Sequence, residues 1–229
     1  MMARVTTPRW QTIFFDLDGT LANTIPLIVA SYQHAFREVR GEEIDEVRAK
    51  SWIGRPLLAA LLEEDPERGH DLDRTYREWN LANTERLIQR YAGVPEMLES
   101  LTSAGAKVHV VTSKRRETAR LALAGVGIDH LIDVVGALED TTRHKPDAEP
   151  LLAASRAVGV DPTTAVYVGD ATVDILAARA AGMPGVAVTW GAGERDALEA
   201  TLPETVVDTV DELTAYLLDG ARVTREARE

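Results

Sequence analysis

The sequence predicts an α/β protein built on a doubly wound parallel sheet, with a helical segment inserted after the first strand. Three observations lead there. From Gly93 onward, short apolar runs alternate with helix-like segments, the pattern of repeated βαβ units. A single apolar run, Ile13-Phe14-Phe15, stands well ahead of that alternation. Between the two, Leu21 to about Tyr91 carries apolar residues at helical spacing and almost nothing that alternates like a strand.

Ile13 to Phe15 reads as a buried strand of a parallel sheet. It stops in Asp16-Leu17-Asp18-Gly19-Thr20. Alternation along an extended chain points residues 16 and 18 to the same side, and Gly19 permits a sharp turn. Two carboxylates held together repel each other unless a cation or a proton lies between them. An acidic turn would also explain Asp-x-Asp-Gly taken alone, since Asp and Gly are common turn residues.

The insert begins with a helix over 25–39, read from Leu27, Ile28, Ala35, Phe36 and Val39, with Gly41 as its stop. A helical piece over 43–50 follows, then the loop Ser51-Trp52-Ile53-Gly54-Arg55-Pro56, then a short helix over 57–62. A long helix spans 71–90, with Leu72, Tyr76, Trp79, Leu87 and Ile88 as candidate buried positions. Beyond Gly93 the expected order is helix 95–103, strand 107–112, helix 115–124, strand 132–136 and helix 149–158, stopped near Gly159. Strand 165–168, helix 173–181 closed by Gly182, and strand 185–189 come next. A weaker helix and strand reach residue 207, and a last helix covers 211–218. The charged tail, 219–229, is expected to fray. Residues 1–21 and 92–229 thus form an α/β core, and residues 22–91 a helical insert beside the paired aspartates, well placed to act as a lid.

Composition narrows the function. With 45% hydrophobic and 27% charged residues the chain is an ordinary globular protein. It has no cysteine, which rules out disulfides, zinc–thiolate sites and a cysteine nucleophile, and fits a reducing cytoplasm. Residues 1–10 lack the apolar core of a signal peptide, and no run approaches a membrane span. Its 25 basic and 37 acidic residues leave a net charge of −12, which disfavours nucleic acid and anionic membranes as partners. An anionic substrate therefore needs basic residues gathered at its site. Oligomeric state, monomer or homodimer, is left open.

Three further stretches end buried strands or enter helices with polar residues. Val110-Val111-Thr112-Ser113-Lys114 offers a hydroxyl and free N–H groups suited to a phosphate oxygen, or equally a helix N-cap. In Thr141-Thr142-Arg143-His144-Lys145-Pro146-Asp147 the proline restricts the lysine to extended backbone, which limits where its ammonium points. Val166-Tyr167-Val168-Gly169-Asp170-Ala171-Thr172-Val173-Asp174 repeats the opening pattern, and the i, i+4 spacing of Asp170 and Asp174 would stack both on one helix face. N-cap duty explains one of these carboxylates more readily than both. In a parallel sheet such ends converge on one edge. Carboxylates for a hard Mg²⁺ ion, with a hydroxyl and a lysine for phosphate oxygens, together suit phosphoryl transfer.

Asp16-Leu17-Asp18-Gly19-Thr20, Thr112, Lys145 and Gly169-Asp170-x3-Asp174 resemble, in order and spacing, the four motifs of the haloacid dehalogenase superfamily. The resemblance covers nearly the whole chain. It implies a Rossmann-like core, and the insert looks like that superfamily's C1 cap. It also implies roles. Asp16 would be the nucleophile that forms an aspartyl-phosphate, and Asp18 the acid and then the base. Mg²⁺ would be held by the Asp16 carboxylate, the Asp18 carbonyl, Asp170 and, directly or through water, Asp174. Thr112 and the Ser113 N–H would bind phosphate, Lys145 would neutralise Asp16 and the phosphoryl group, and Thr20 would orient Asp18. Arg55, in what resembles the cap's specificity loop, is expected to reach the substrate's distal anionic group. Asp18 argues against the dehalogenases, which lack an acid there. Lys50 is the only lysine of the insert, which weighs against the phosphonatases, with their cap lysine. With Thr20, the opening segment is most similar to phosphoglycolate phosphatases and pyrophosphatases. Asn23, Ala171 and Asp147-Ala148-Glu149-Pro150 depart from the usual pattern, and Asn23, at the expected hinge, bears on specificity. The leading expectation is a Mg²⁺-dependent phosphatase acting on a small phosphorylated metabolite such as phosphoglycolate. The alternatives are a phosphomutase of the β-phosphoglucomutase type, an inorganic pyrophosphatase, or a non-enzymatic scaffold that kept the site for binding.

Overall fold

The structure is a computed structural model that describes residues 7–219. β1 (Thr12–Phe15) and β2 (Ala22–Asn23) lead into four helices, α1 (Ile25–Arg40), α2 (Glu46–Lys50), α3 (Leu57–Glu64) and α4 (Gly69–Leu87). β3 (Gln89–Arg90) follows, then α5 (Val94–Ser103), β4 (Lys107–Val111), α6 (Arg116–Gly125) and β5 (Asp133–Gly136). The chain continues through α7 (Glu149–Val158), β6 (Ala165–Gly169), α8 (Thr172–Ala180), β7 (Gly185–Val188), α9 (Arg195–Glu199), β8 (Thr205–Val207) and α10 (Val210–Leu218).

Six strands form one sheet in the order β5-β4-β1-β6-β7-β8. Every pairing in it is parallel. The fold is therefore the expected doubly wound α/β sheet. The chain runs outward from β1 to β4 and β5, then crosses back to β6 on the other side of β1. Such a reversal opens a crevice at the carboxyl ends of the strands. Phe15 lies opposite Val110 and Val168, so β1, β4 and β6 stop almost level with one another.

Period-two alternation decides how β1 is buried. Ile13 and Phe15 face a cluster that includes Leu98, Leu101, Leu123 and Leu213, while Phe14 faces Leu151, Tyr167, Ala177 and Met183. Helices thus cover both faces of the sheet, which is why its strands read as continuous apolar runs. The helical insert has an apolar core of its own, with Tyr32, Phe36, Trp52, Leu61, Leu72 and Tyr76 buried together. Its centre is aromatic. The Tyr32 ring lies 5.0 Å from Trp52 and 4.7 Å from Tyr76, and Phe36 stacks on Trp52 at 5.4 Å.

The departures from the expected elements are local. α1 ends as expected, at Gly41 in the left-handed region with φ of 64°. α2 starts at Glu46 because Asp45 caps it, accepting from the Arg48 N–H at 2.8 Å. Leu72 and Tyr76 are buried, but Trp79, Leu87 and Ile88 are only half-buried. α4 stops at Leu87, and residues 89–90 instead pair antiparallel with 22–23 in a two-stranded ribbon. A strand of two residues is too short to show a period. The Asn23 amide donates to the Gln89 side chain at 3.2 Å across this ribbon. No described helix is long and apolar enough to cross a membrane. Of the tail expected to fray, 219–229, residues 220–229 lie outside the described residues, as do residues 1–6 of the leader reading.

Candidate active site

Asp16 stands directly beyond β1, its N–H donating to the Val168 carbonyl at 2.8 Å. The turn behind it needs a glycine on two counts. Gly19 has φ of 82°, and a Cβ there would fall 2.2 Å from Oδ2 of Asp170. The chain can therefore bring Asp170 against the Asp16–Asp18 turn only if residue 19 has no side chain. Thr20, expected to orient Asp18 and to stand among the substrate-contacting residues, turns its side chain to Asp170 instead. It is buried, and its hydroxyl donates to Asp170 Oδ1 at 2.9 Å. The Asp18–Gly19 turn points its side chain inward, under the carboxyl end of β6.

Asp170 follows β6 and rests in a cradle built by the loop after β7. Its Oδ2 accepts from the Ala192 N–H at 2.7 Å, and its carbonyl accepts from the Gly193 N–H at 3.0 Å. A Cβ on Gly191 would lie 2.1 Å from Oδ2. Asp174 sits in the first turn of α8, where Oδ2 accepts from the Ala171 N–H at 2.9 Å. Asp170 precedes that helix, so i, i+4 stacking on one helix face is not what joins the two. The strand end and the helix start bring them together across a tight turn.

Lys145 is the only cation within this group among the described residues. Its ammonium donates to Asp16 Oδ1 at 2.9 Å, to Asp174 Oδ1 at 2.6 Å and to the Tyr167 hydroxyl at 2.9 Å. Those bonds use all three of its donors. The Tyr167 hydroxyl in turn donates to the Val111 carbonyl at 2.7 Å, which fixes the lysine to two strands.

Oxygens of Asp16, Asp170 and Asp174 lie within 4.8 Å of one another, and all three residues are buried. Three carboxylates against one ammonium leave an excess of negative charge. Burial first, and then the neighbouring carboxylates, push Asp16 up to about 7 against the pull of Lys145. Burial and its two acidic neighbours likewise hold Asp170 well above the usual carboxylate range. Such a cluster suits a divalent cation with oxygen ligands. Mg²⁺ takes oxygens at about 2.0–2.1 Å in an octahedron, so ligands on opposite sides stand about 4 Å apart.

A family model for haloacid dehalogenase-like hydrolases matches residues 13–188. The chain belongs to that family. This hydrolase is 36% identical over 202 residues to the pyrophosphatase PpaX of Halalkalibacterium halodurans, covering 88% of this chain and 94% of that one. Its fold matches a crystal structure described as a predicted phosphatase from Clostridium acetobutylicum, with a TM-score of 0.83 and 24% identity over 92% of this chain and 99% of that one. A structure described as a predicted phosphoglycolate phosphatase from Haemophilus somnus aligns with a TM-score of 0.79 and 25% identity, over 90% and 97% of the two chains.

In this hydrolase a cavity of about 240 Å³ opens between the strand ends and the helical insert, lined by Asp16, Asp18, Thr112, Ser113 and Arg55 among others. All five were singled out in the sequence. Thr112 accepts from the Lys114 N–H at 3.2 Å, which leaves its hydroxyl hydrogen free to donate. The Ser113 hydroxyl donates to the Gly54 carbonyl at 2.9 Å, tying the sheet edge to the insert's loop. The Ser113 N–H has no partner among the described residues. Arg55 pairs with Glu63 at the rim.

Three parts of the site were missed. Lys114 donates to both oxygens of Asp18, at 2.9 and 3.2 Å, yet a lysine after a strand end ordinarily reads as solvated. Tyr167 is the one hydroxyl in an otherwise apolar strand, a signal that was available. Residues 190–193 close over Asp170, and Trp190 Nε1 donates to the Thr20 carbonyl at 3.1 Å. Gly191 and Gly193, spaced by one residue shortly after the strand, could have flagged that loop.

Proposed function

We propose that this hydrolase is a Mg²⁺-dependent phosphatase that moves the phosphoryl group of a small organic phosphate first to Asp16 and then to water. The observation that carries this reading is the buried Asp16–Asp170–Asp174 group with Lys145 as its one counter-charge among the described residues, set beside donors of Thr112 and Ser113 that have no partner among those residues. Asp16, Asp170 and Asp174, with the Asp18 carbonyl, would hold the metal. When bound, it supplies positive charge to the transferring phosphoryl group.

The protein's own groups do the rest. A carboxylate oxygen of Asp16 attacks phosphorus, the ester P–O bond breaks, and Asp18 gives its proton to the departing oxygen. Asp18 then takes a proton from water, whose oxygen attacks phosphorus, and the bond to Asp16 breaks to release phosphate. Thr112 and the Ser113 N–H hold the phosphoryl oxygens. Lys145 lowers the cost of ionising Asp16 and aims it. The helices between β2 and β3 act as a lid, hinged at the ribbon that Asn23 braces.

Phosphate release from p-nitrophenyl phosphate or phosphoglycolate is expected with Mg²⁺ and not with EDTA. Release that persists in EDTA would contradict the reading. The metal should also act on stability with a defined sign. Asp16 titrates near 7 when folded but near 3.8 when unfolded, so without metal it lowers stability as pH rises from about 4 to 7. The full effect is roughly 4 kcal/mol. Mg²⁺ offsets it, so melting curves should show a Mg²⁺-induced gain of several degrees at about pH 8 that fades at about pH 5.

The name of the H. halodurans relative favours a second reading, hydrolysis of inorganic pyrophosphate by the same groups. Relative kcat/KM for pyrophosphate and for phosphate esters separates the two.

A further inference from the structure

Asp18 acts in both half-reactions of the phosphatase sequence, yet nothing in its own turn aims its side chain. The backbone is fixed, with the Gly19 N–H donating to the Ala22 carbonyl at 2.9 Å, but a fixed backbone still leaves the carboxylate its rotamers. The hydroxyl nearest in sequence, that of Thr20, is spent on Asp170. Among the described residues, the only group bonded to the Asp18 carboxylate is the Lys114 ammonium, 2.9 Å from Oδ1 and 3.2 Å from Oδ2. Both side chains are 15% exposed, so solvent screens the pair little.

Lys114 is held at its base. Its N–H donates to the Thr112 hydroxyl at 3.2 Å, and its carbonyl accepts from the Leu138 N–H at 3.0 Å. The first contact ties it to the end of β4 and the second to the segment after β5. Lys114 thus reaches Asp18 from a fixed point on the sheet edge. Both side chains line the cavity.

The two half-reactions use this contact unequally. In the first, Asp18 carries a proton, and a neutral carboxyl group is a weaker partner for an ammonium. In the second it is a carboxylate, and both oxygens accept strongly. Two of the three donors of Lys114 are then spent on Asp18, which leaves one for anything else.

We propose that Lys114 is a positioning residue that aims the Asp18 carboxylate at the water attacking the aspartyl-phosphate. That water gives its proton to Asp18 as its oxygen bonds to phosphorus and the bond to Asp16 breaks. The ammonium of Lys114 keeps its protons throughout. This inference rests on the phosphatase reading and adds to it the group that orients the base.

Kinetics of the full chain with Mg²⁺ and p-nitrophenyl phosphate test it in Lys114→Met and Lys114→Arg. Nitrophenolate departs with little need of a proton, so phosphorylation of Asp16 makes small demand on Asp18. The measurements are kcat, KM and the mass of acid-quenched protein, which gives the fraction carrying a phosphoryl group. In Lys114→Met, kcat should fall on the order of 10²-fold and KM nearly as far, leaving kcat/KM within about threefold. Phosphorylated protein should become the major species. Lys114→Arg keeps the charge and two parallel donors, and should bring kcat back to within about tenfold of wild type. The pair lies at the cavity wall rather than in the core, so both variants are expected to melt close to wild type.

A raised KM with unchanged kcat in Lys114→Met would make Lys114 a substrate contact, and a raised kcat would make it a restraint on Asp18. A fall in kcat without phosphorylated protein would place the loss in the first half-reaction. Any of these in an active wild-type background, or an Arg variant no better than the Met variant, overturns the role of Lys114 alone. A wild-type protein that releases phosphate from neither p-nitrophenyl phosphate nor phosphoglycolate would refute the phosphatase reading, and this inference with it.

Discussion

Asp16→Asn is expected to cut turnover by a factor on the order of 10⁴ or more, in a protein that melts no lower than the wild type. An amide oxygen cannot displace an alkoxide from phosphorus, so both half-reactions stop. The change is nearly isosteric, and it removes one of three buried carboxylates that repel one another. Lys145 keeps Asp174 and the Tyr167 hydroxyl as partners. At about pH 8 and without metal the variant should be the more stable protein, because there the wild-type Asp16 is ionised at a buried site. At about pH 5, where the folded wild-type group is protonated, that difference should shrink. Phosphate release and melting curves at the two pH values check both halves. Undiminished turnover in the variant would remove Asp16 from the reaction.

Lys145→Met should have the larger effect on folding. The Lys145 side chain is 1% exposed and bridges Asp16 and Asp174, whose side chains are 5% and 0% exposed. Methionine fills similar space but leaves three buried carboxylates with no internal counter-charge. Removing one partner of a buried pair costs about 3–5 kcal/mol. For a chain of this length that lowers Tm by roughly 6–20 °C. The sign with pH follows from the surviving carboxylates. Without the ammonium their protonated forms are favoured further, so the penalty is greatest at high pH and shrinks as the solution is acidified. Added Mg²⁺ should recover part of the stability but little of the turnover. Equal melting temperatures for variant and wild type at neutral pH would mean that the carboxylates do not depend on Lys145.

How much of this was legible in the chain depended on what each residue does locally. Asp16 and Asp170 stand out because carboxylates recur at the ends of two apolar strands, where turn or cap duty accounts for one more readily than for all. Lys145 is unremarkable in its own loop, and only the fold shows that it reaches two acids and a tyrosine. Thr20 was legible as a hydroxyl beside the aspartates but not as a partner of Asp170, because that contact spans 150 positions of sequence. The pairing of Asp170 with Asp174 was misread through helical spacing, since the helix begins only after Asp170. Tyr32, which lines the cavity, shows a different limit. On a helix, a residue facing a pocket and one facing the core share the same period, so spacing cannot separate them. The two-residue ribbon at 22–23 and 89–90 left no pattern at all.

The most direct test quenches the protein during turnover with borohydride, which reduces an acyl phosphate to an alcohol, and maps the peptide that contains residue 16. With Mg²⁺ and a phosphate ester, Asp16 is expected to be converted to homoserine, and in EDTA it is expected to remain aspartate. An unmodified Asp16 in protein that is releasing phosphate, or homoserine at another aspartate, would contradict the phosphoryl transfer inferred here.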